Sequence, residues 1–303
     1  MKFKEWAAFA ALGLLWGSSF LWIKIAVEQV SPFVVVALRV LLGLIGLLGV
    51  VYWQRQALPR DRSTLLKYLF MGVFNVVVPF LLITWGETHI DSSLAAILNA
   101  TTPLFVIVIA HFALHDEKMT TPRLAGLLIG FVGVIVLVAQ DFQPGMLQGD
   151  LLGQLAVLGA AISYAVALIF SRRQLRGAKP VVQSTMILVF ATALMWLITP
   201  MVERPVVLPA EPIAWVALLW LGVLGLCVAY LLFFWLNNVW GPTRASLVTY
   251  VFPVVGVVLG VIFLNEPLNW NMVLGSALVV GGIVVVNRRP RVGQTAVVAA
   301  PAK

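Results

Sequence analysis

The sequence predicts an all-α integral membrane protein of ten transmembrane helices, built as two inverted five-helix repeats with both termini in the cytoplasm. Three observations lead to this prediction. Hydrophobic residues make up 61% of the 303 residues and charged residues only 11%, whereas a soluble domain carries about 25% charged residues. Basic residues gather in alternate segments between apolar runs, which is the orientation signal of membrane proteins. The second half of the chain also repeats the pattern of the first.

The apolar runs are separated by short segments rich in Pro, Gly, Asp, Asn and charge, as loops are. A membrane-spanning helix needs roughly 20 mainly apolar residues, and ten runs approach that length. They cover residues 6–27, 32–53, 66–86, 92–114, 123–140, 151–172, 181–202, 213–236, 244–264 and 270–287. The fifth and tenth runs are rich in glycine, which permits close contact between helices. These glycines are Gly126, Gly130 and Gly133 in the fifth run and Gly275, Gly281 and Gly282 in the tenth.

The distribution of positive charge orients these helices. With the N-terminus inside, the cytoplasmic segments hold 17 of the 20 Lys and Arg residues. Lys24 and Arg204 fall outside, and Arg39 lies within the second run. Because short cytoplasmic loops carry the excess of Lys and Arg, both termini are predicted to be cytoplasmic. The basic residues do not line one face of a helix, so we do not expect nucleic-acid binding.

An internal duplication supports the same topology. Shifting the chain by 150 positions brings Pro103 onto Pro253, and after a single-residue gap Glu117 meets Glu266. Each copy has five spans, an odd number, so the second copy enters the membrane in the opposite orientation. Inverted repeats of this kind are typical of secondary transporters. The predicted units are a first repeat, a linker, a second repeat and a disordered cytoplasmic tail, at residues 1–140, 141–150, 151–290 and 291–303.

Motifs for energy-coupling or catalytic chemistry are absent from the sequence. There is no Gly-x-x-x-x-Gly-Lys-Ser/Thr loop for ATP and no Gly-x-Ser-x-Gly element. The three histidines are not paired with Cys or carboxylates at the spacing of metal ligands. We therefore expect no enzyme activity and no cofactor. The expected partners are a small-molecule substrate and the lipid bilayer, with the oligomeric state open.

Several motifs resemble those of a known family. They are the Trp-Gly-Ser-Ser-Phe segment at 16–20, Arg39 in the second run, and the apolar stretch at 95–117 with its repeated helix–Pro–helix–Glu pattern. Together they resemble the drug/metabolite transporter superfamily, specifically the EamA-type ten-helix transporters, over about residues 5–287. The resemblance implies export of amino acids or related metabolites across the inner membrane. It also implies a central cavity built mainly from the first, third and fourth spans of each half. Glu117 stands at the family's acidic position after the fourth helix, and Glu266 is its counterpart in the second repeat.

Two proline-containing spans form the centre of the predicted substrate site. Asn99, Thr102 and Pro103 lie three to four residues apart and share one face of the fourth helix. Pro103 cannot donate to the Asn99 carbonyl, so a free carbonyl, an amide and a hydroxyl are expected to meet at mid-membrane depth. The ninth span repeats this arrangement with Ser246, Thr249, Tyr250 and Pro253. Interrupted helices at matching positions of inverted repeats indicate a binding site; the alternative is a pair of structural kinks.

Other spans contribute further candidates for substrate binding. Asn75 lies four residues before Pro79, so its carbonyl is also expected to be free. The remaining candidates are Ser18, Ser19 and Trp22 in the first span, Trp85 in the third, Ser163 and Tyr164 in the sixth and Tyr230 in the eighth. An aromatic cavity with a few polar groups suits a zwitterion with a hydrophobic side chain. The alternatives are close helix packing at the serines and an interfacial position for Trp85.

Charged residues receive a gating or structural role in this prediction. Arg39 is a lone basic residue deep in a span, where a charge is costly and usually functional or paired. Contact with a substrate carboxylate is the alternative for Arg39. Glu117 and Glu266 are also assigned to gating or structure. No span has a carboxylate at its centre, which favours a facilitator with weak or no coupling to protons.

The leading hypothesis is therefore an inner-membrane exporter of amino acids or related metabolites that works by alternating access. Efflux of bulkier or cationic drug-like compounds is an alternative, which an acidic residue in the cavity would favour. A membrane protein without transport activity is another. That class is expected to carry a soluble domain or long loops, and the loops here are short.

Overall fold

A computed structural model describes residues 3–114, 119–138, 148–240, 248 and 251–287, and the regular structure within these ranges is helical. Two segments of the chain are π-helical and are named π1 and π2. The elements are α1 (Phe3–Gly17), α2 (Ser19–Val27), α3 (Pro32–Trp53), α4 (Arg62–Gly72), π1 (Val73–Val77), α5 (Val78–Gly86), α6 (Ser92–Asn99), α7 (Thr102–Ala113), α8 (Thr121–Val138), α9 (Gln148–Gln174), α10 (Pro180–Val202), α11 (Pro212–Leu219), π2 (Trp220–Val228), α12 (Ala229–Trp240), α13 (Val251–Leu264) and α14 (Trp270–Asn287).

These helices coincide with the apolar runs of the sequence. Seven helical stretches of the described residues are long and apolar enough to cross a bilayer, and three apolar helices are shorter. The shorter ones are Thr121–Leu137, Val251–Leu264 and Trp270–Val285. One boundary differs clearly: α9 begins at Gln148, inside the predicted linker. The predicted tail at 291–303 lies outside the described residues.

Local sequence signals set several helix starts. The Ser31 hydroxyl accepts the N–H of Val34 at the start of α3, and the Asp61 carboxylate accepts the N–H of Thr64 at the start of α4. Such caps satisfy backbone donors that have no partner within the helix. Proline occupies the first position of α3, α10 and α11, where its missing N–H costs nothing.

Helices from the two halves pack against each other throughout the molecule. The most extensive pairs are α8 with α14, α3 with α10, α5 with α9 and α3 with π2, followed by α7 with α9 and α6 with α13. Glycines bring the backbones of α8 and α14 together, since a Cβ on Gly133 would lie 2.8 Å from the Gly275 carbonyl oxygen. A Cβ on Gly282 would meet the backbone of Gly126 and Gly130 at 2.5 Å. The predicted close contact is confirmed at these positions; it is wrong for Gly281, whose side-chain direction faces open space.

The π-helical segments fall at equivalent places in the two halves. Moving π1 along the chain by the repeat offset of 150 positions brings it inside π2. In π1 the N–H of Val78 donates to the Val73 carbonyl, and at the end of π2 the N–H of Ala229 donates to the Leu224 carbonyl. Both bonds span five residues instead of the four of an α-helix. Such turns are rare in proteins, and those that occur are often found at functional sites. Their recurrence therefore indicates that the third and eighth spans contribute to a functional site.

The outer surface of the bundle is strongly apolar. Phe112, Ile262 and Phe263 are each exposed over more than half of their surface. A soluble protein rarely exposes large contiguous apolar patches. A bilayer provides the apolar surroundings that these side chains require, so the described surface agrees with a membrane-embedded protein.

Candidate functional site

Arg39 lies at the centre of a polar and aromatic cluster between the two halves. Its side chain is only 7% exposed, and its guanidinium carbon lies 4.0 Å from the centre of the Phe80 ring. The Nε–H of Arg39 has no hydrogen-bond partner in the described part of the chain. Tyr164 and Tyr230 lie within electrostatic range of this guanidinium. A buried cation held against a ring, with a donor unused, is arranged to accept a further partner.

Tyr230 of α12, in the second half, contacts two residues of the first half. Its hydroxyl is hydrogen-bonded to the Asn75 side chain of π1. Its ring meets the Trp16 indole edge to face, with centroids 6.0 Å apart. We call Arg39, Asn75, Tyr164 and Tyr230 the central cluster. Three of these four residues were predicted to bind substrate, and the structure brings them together with Arg39.

The proline of the third span frees a different carbonyl from the one predicted. In an α-helix Pro79 would leave the Asn75 carbonyl without a donor, but the π register shifts the affected carbonyl by one residue. Five residues before Pro79 stands Phe74, and its carbonyl accepts the hydroxyl of Ser163 at 2.7 Å. Ser163 belongs to α9 in the second half. In this register the carbonyl that Pro79 leaves without a backbone donor is that of Phe74, and the predicted site residue Ser163 donates to it.

The first span has a similar bond to the eighth. The indole Nε1 of Trp16 donates to the Gly225 carbonyl in π2 at 3.0 Å. Next to it, the Trp220 indole donates to the hydroxyl of Ser18 at 3.0 Å and its ring packs on Trp22. Ser19 instead donates to the Leu15 carbonyl of its own span. Ser18 and Trp22 are thus joined through Trp220, at the break between α1 and α2.

The fourth span is interrupted between α6 and α7. The hydroxyl of Thr102 donates to the Asn99 carbonyl at 2.7 Å, so the carbonyl that Pro103 frees is satisfied locally. The Asn99 side-chain oxygen is buried and has no partner among the described residues. A buried polar atom without a partner is uncommon and requires an explanation. Because no donor of the described residues contacts it, the Asn99 side-chain oxygen is open to a further partner.

Glu266 fastens the two halves at one end of the bundle. Its carboxylate accepts the backbone N–H of Ser92 at 2.8 Å and of Ser93 at 2.9 Å, and it also accepts the Ser93 hydroxyl. These groups form the first turn of α6, where backbone donors are free and negative charge is stabilised. Asn265, with a φ of 53°, ends α13 in the left-handed region that Asn adopts readily. That turn directs Glu266 back toward α6.

The close fit around Glu266 depends on a glycine. A Cβ on Gly260 of α13 would overlap both the Glu266 carboxylate and the Ser93 hydroxyl. One turn earlier in α13, a Cβ on Gly256 would overlap Ala96. The two glycines let α13 approach α6 closely enough for the cap to form. We call the end of the bundle where this contact lies the Glu266 end.

Lys24 and Glu87 lie at the same end. The Lys24 ammonium donates to the carbonyls of Glu87 and Ile90 at 2.7 and 2.9 Å, which joins α2 to the segment between α5 and α6. The Glu87 side chain is 0% exposed, and neither carboxyl oxygen has a hydrogen-bond partner in the described ranges. Burial raises the pKa of Glu87 well above its ordinary value, although the positive charges of Lys24 and Arg39 oppose the shift. Burial also raises the pKa of Asp91.

The remaining predicted residues lie elsewhere or outside the described chain. Trp85 is 38% exposed and its ring lies tilted against that of His89, with the centroids 4.3 Å apart. Pro253 is buried in the first turn of α13. Ser246, Thr249, Tyr250 and Glu117 lie outside the described residues. A surface cleft of about 350 Å³ between Glu28 and Glu203 contains none of the predicted site residues.

Sequence comparison identifies the family. A profile described as the EamA-like transporter family matches residues 5–139 and again residues 151–288. The chain belongs to the EamA-like transporter family. This confirms the resemblance to the drug/metabolite transporter superfamily, and it identifies a multi-pass membrane protein of a transporter family.

Several curated relatives extend over most of the chain. The uncharacterized transporter YoaV of Bacillus subtilis (strain 168) is 27% identical, over 89% of this chain and 92% of that protein. An uncharacterized transporter of Archaeoglobus fulgidus is 25% identical, over 94% and 99%. The uncharacterized inner membrane transporter YedA of Escherichia coli (strain K12) is 27% identical, over 94% and 92%. These names are those of transporters, not of enzymes.

A solved crystal structure supports the fold. It superimposes with a TM-score of 0.67 at 21% identity, and the match covers 94% of this chain and 98% of the other. At that identity the likeness concerns the fold alone. It indicates that the helix arrangement described above occurs in a whole chain of similar length.

Four residues of the site were not among the predicted candidates. Trp16 and Phe80 are ordinary apolar residues in the sequence, although Trp16 begins the Trp-Gly-Ser-Ser-Phe motif. Nothing in the sequence around Trp220 indicates a role in the site, because the contact of its indole with Ser18 depends on the π-helical register of π2. Glu87 follows an apolar run and precedes polar residues, a pattern that does not indicate burial. Its complete burial depends on packing between helices that are distant in sequence.

Proposed function

We propose that this EamA-like family member is an inner-membrane exporter of amino acids or related carboxylate-bearing metabolites that works by alternating access. The observation that supports this most is the buried Arg39, whose Nε–H has no hydrogen-bond partner among the described residues. A positive charge within a span is costly and is usually functional. A substrate carboxylate would supply the missing partner.

The surroundings of Arg39 favour a planar anion over a general cation. A guanidinium presents a flat fork of N–H donors that matches a carboxylate in two parallel hydrogen bonds. Phe80 lies against the guanidinium and restricts its orientation. The aromatic rings of Trp16, Tyr164 and Tyr230 provide apolar surface for a side chain. The positive charge of Arg39 argues against a cationic drug as substrate.

Alternating access requires contacts that fasten one end and release it in turn. The Glu266 contact with Ser92 and Ser93 is such a fastening, since it joins the second half to the first. The distribution of Lys and Arg places this end outside the cell in our proposal. The described structure then corresponds to a state closed toward the outside. The halves would rock about the helices that contain Pro103 and Pro253, and Glu117 would serve at the opposite end.

The test is uptake of labelled amino acids into proteoliposomes by the purified protein. We expect saturable uptake that carboxylate-bearing analogues inhibit and that their decarboxylated amines do not. Arg39→Gln should abolish this uptake, and Arg39→Lys should raise KM, because lysine keeps the charge but loses the flat fork. Arg204→Gln, which removes an arginine outside the spans, is the matched control and should transport normally.

Three outcomes of this assay would contradict the proposal. Equal competition by the amines would show that the carboxylate is not recognised. Transport of quaternary ammonium compounds in place of amino acids would favour drug efflux. Normal uptake by a folded Arg39→Gln protein would remove Arg39 from the site.

A further inference from the structure

Glu87 is a buried acid that substrate binding does not use. The carboxyl group follows α5 directly, where the chain turns toward α6, and its side chain has no exposed surface. Both oxygens lack hydrogen-bond donors among the described residues. An ionised carboxylate under these conditions loses its hydration without replacement, which costs several kcal/mol. The arrangement therefore accommodates the protonated form.

Three charged groups lie within electrostatic range of Glu87. Lys24 of α2 and Arg39 of α3 favour its ionised form, and Glu266 disfavours it. On the segment that follows, Asp91 is influenced by Glu266, Lys24 and Asp150 of α9. The Lys24 ammonium is directed to the carbonyls of Glu87 and Ile90, and not to the carboxyl oxygens. Neither cation therefore compensates for burial by a direct hydrogen bond.

The position of Glu87 connects it to movement of the Glu266 end. Lys24 holds the segment that contains Glu87 against α2, and Glu266 holds the start of α6. Opening this end must separate at least one of these contacts and admit water to the buried acid. Hydration favours the ionised form of a carboxyl group. Protonation and opening thus act on the same group.

We propose that Glu87 is a proton-binding site linked to this gate: the Glu266 end closes with a proton on Glu87 and opens as that proton leaves. The inference rests on the proposed alternating access and on the proposed outward orientation of this end. It gives the transporter a protonatable group in its pathway, which the sequence did not reveal. A proton-dependent step at Glu87 would depart from the expectation of weak or no coupling to protons, which stays a prediction.

The sign of the pH effect follows from this linkage. The closed end binds the proton more tightly than the open end, so acid outside favours closure and alkali favours opening. For one linked proton, the ratio of open to closed molecules changes by at most about tenfold per pH unit. The effect ends once the external pH lies above the range in which Glu87 titrates in the closed state.

Cysteine labelling tests this without a known substrate. Cys227 is the single cysteine of the chain, so Cys227→Ala gives a background for one reporter. Ala95→Cys places the reporter on α6 at a fully buried position next to the capped turn. A membrane-impermeant thiol reagent is applied from outside to the reconstituted protein, from about pH 5 to about pH 8. Val207→Cys, at an exposed position, measures the intrinsic pH dependence of the reaction and normalises the rates.

We expect the normalised labelling of Ala95→Cys to rise several-fold with external pH. Adding Glu87→Gln, a neutral isostere of the protonated acid, should leave labelling low at every pH. Glu28→Gln is the matched control at an exposed acid after α2, and it should keep the pH dependence.

Each other result would overturn the proposal. Labelling that does not change with pH would exclude the linked proton, and pH dependence that survives Glu87→Gln would assign it to another group. A Glu87→Gln protein that fails to fold would also contradict it, because the amide replaces the neutral form with little change in shape. Labelling requires no transport, so a result that overturns the proton-binding role of Glu87 is distinguishable from a result that overturns the proposed transport of amino acids.

Discussion

The Glu266 carboxylate accepts the backbone N–H of Ser92 at 2.8 Å, across 174 positions of the chain. This bond caps α6 from outside its own half. Glu266→Gln should weaken the cap, because an amide carries no charge and has only one acceptor oxygen. We expect a loss of about 1–2 kcal/mol in the free energy of unfolding, measured by thermal unfolding in detergent.

The matched control for this prediction is Glu211→Gln. Glu211 directly precedes α11, where an acid could cap the helix, but its side chain makes no capping bond and is exposed. Its replacement should leave stability unchanged. Equal losses in both variants would mean that the cap contributes nothing specific.

Adjacent glycines in α14 should respond oppositely to alanine. A Cβ on Gly282 would lie 2.5 Å from backbone atoms of α8, whereas a Cβ on Gly281 meets nothing. Gly282→Ala should therefore cost about 1–3 kcal/mol, the usual effect of overpacking. Gly281→Ala should be neutral or stabilising, since alanine favours a helix over glycine by about 1 kcal/mol. Thermal unfolding of the two variants checks this, and similar midpoints would refute the close crossing of α8 and α14.

The bond from Ser163 to the Phe74 carbonyl should be measurable by removing the hydroxyl. Ser163→Ala leaves this carbonyl without its donor, and we expect a loss of about 1 kcal/mol. The control is Ser276→Ala, because Ser276 donates to the Met272 carbonyl of its own helix. If the two variants unfold at the same temperature, Phe74 has another partner in π1.

The raised pKa of Glu87 predicts a pH-dependent stability difference. Unfolding returns the acid to its ordinary pKa of about 4.5, so the unfolded chain loses the proton at lower pH than the folded protein. Stability therefore falls as the pH rises from the unfolded pKa toward the folded one. The Glu87→Gln variant has no proton to lose at this position. Its unfolding midpoint should therefore rise relative to that of the wild type as the pH increases from about 5 to about 7. A constant difference over that range would indicate an ionised Glu87.

The Asn99 side chain should matter for flux and not for folding. Its oxygen already lacks a partner in the described part of the molecule, so Asn99→Ala removes no protein contact from it. We expect reduced uptake with an unchanged unfolding midpoint. Thr102→Val removes the hydroxyl that satisfies the Asn99 carbonyl and should instead lower stability. Loss of folded Asn99→Ala protein would favour a structural kink over a binding site.

Much of the helical framework could be predicted because hydrophobicity alone encodes it. Apolar runs, proline at helix starts and glycine in the fifth and tenth spans each have a local cause. The similarity of the two halves could also be predicted, because the sequence repeats the same pattern of residues at an offset of about 150 positions. Gly281 shows the limit of such patterns, because a glycine in an apolar run does not reveal whether its position on the helix faces another helix or open space.

The details of the site required knowledge of register and long-range packing. The π turn moves the carbonyl freed by Pro79 from Asn75 to Phe74, and no local sequence signal announces that shift. Glu87 is fully buried, and Lys24, Arg39 and Glu266, which are distant in sequence, all influence it electrostatically. In the sequence, the same residue stands between a tryptophan and polar residues, as a solvated loop acid would.

The bond between Ser163 and Phe74 also bears on how the protein is made. The third span is synthesised before the sixth, so the Phe74 carbonyl is expected to enter the bilayer before Ser163, which donates to it in the complete chain. Pro79 cannot supply an N–H in the meantime. We therefore expect the amino-terminal half to insert with this backbone hydrogen bond unmade, and to complete it once the carboxyl-terminal half has followed. Separately expressed halves should accordingly depend on co-expression to escape degradation.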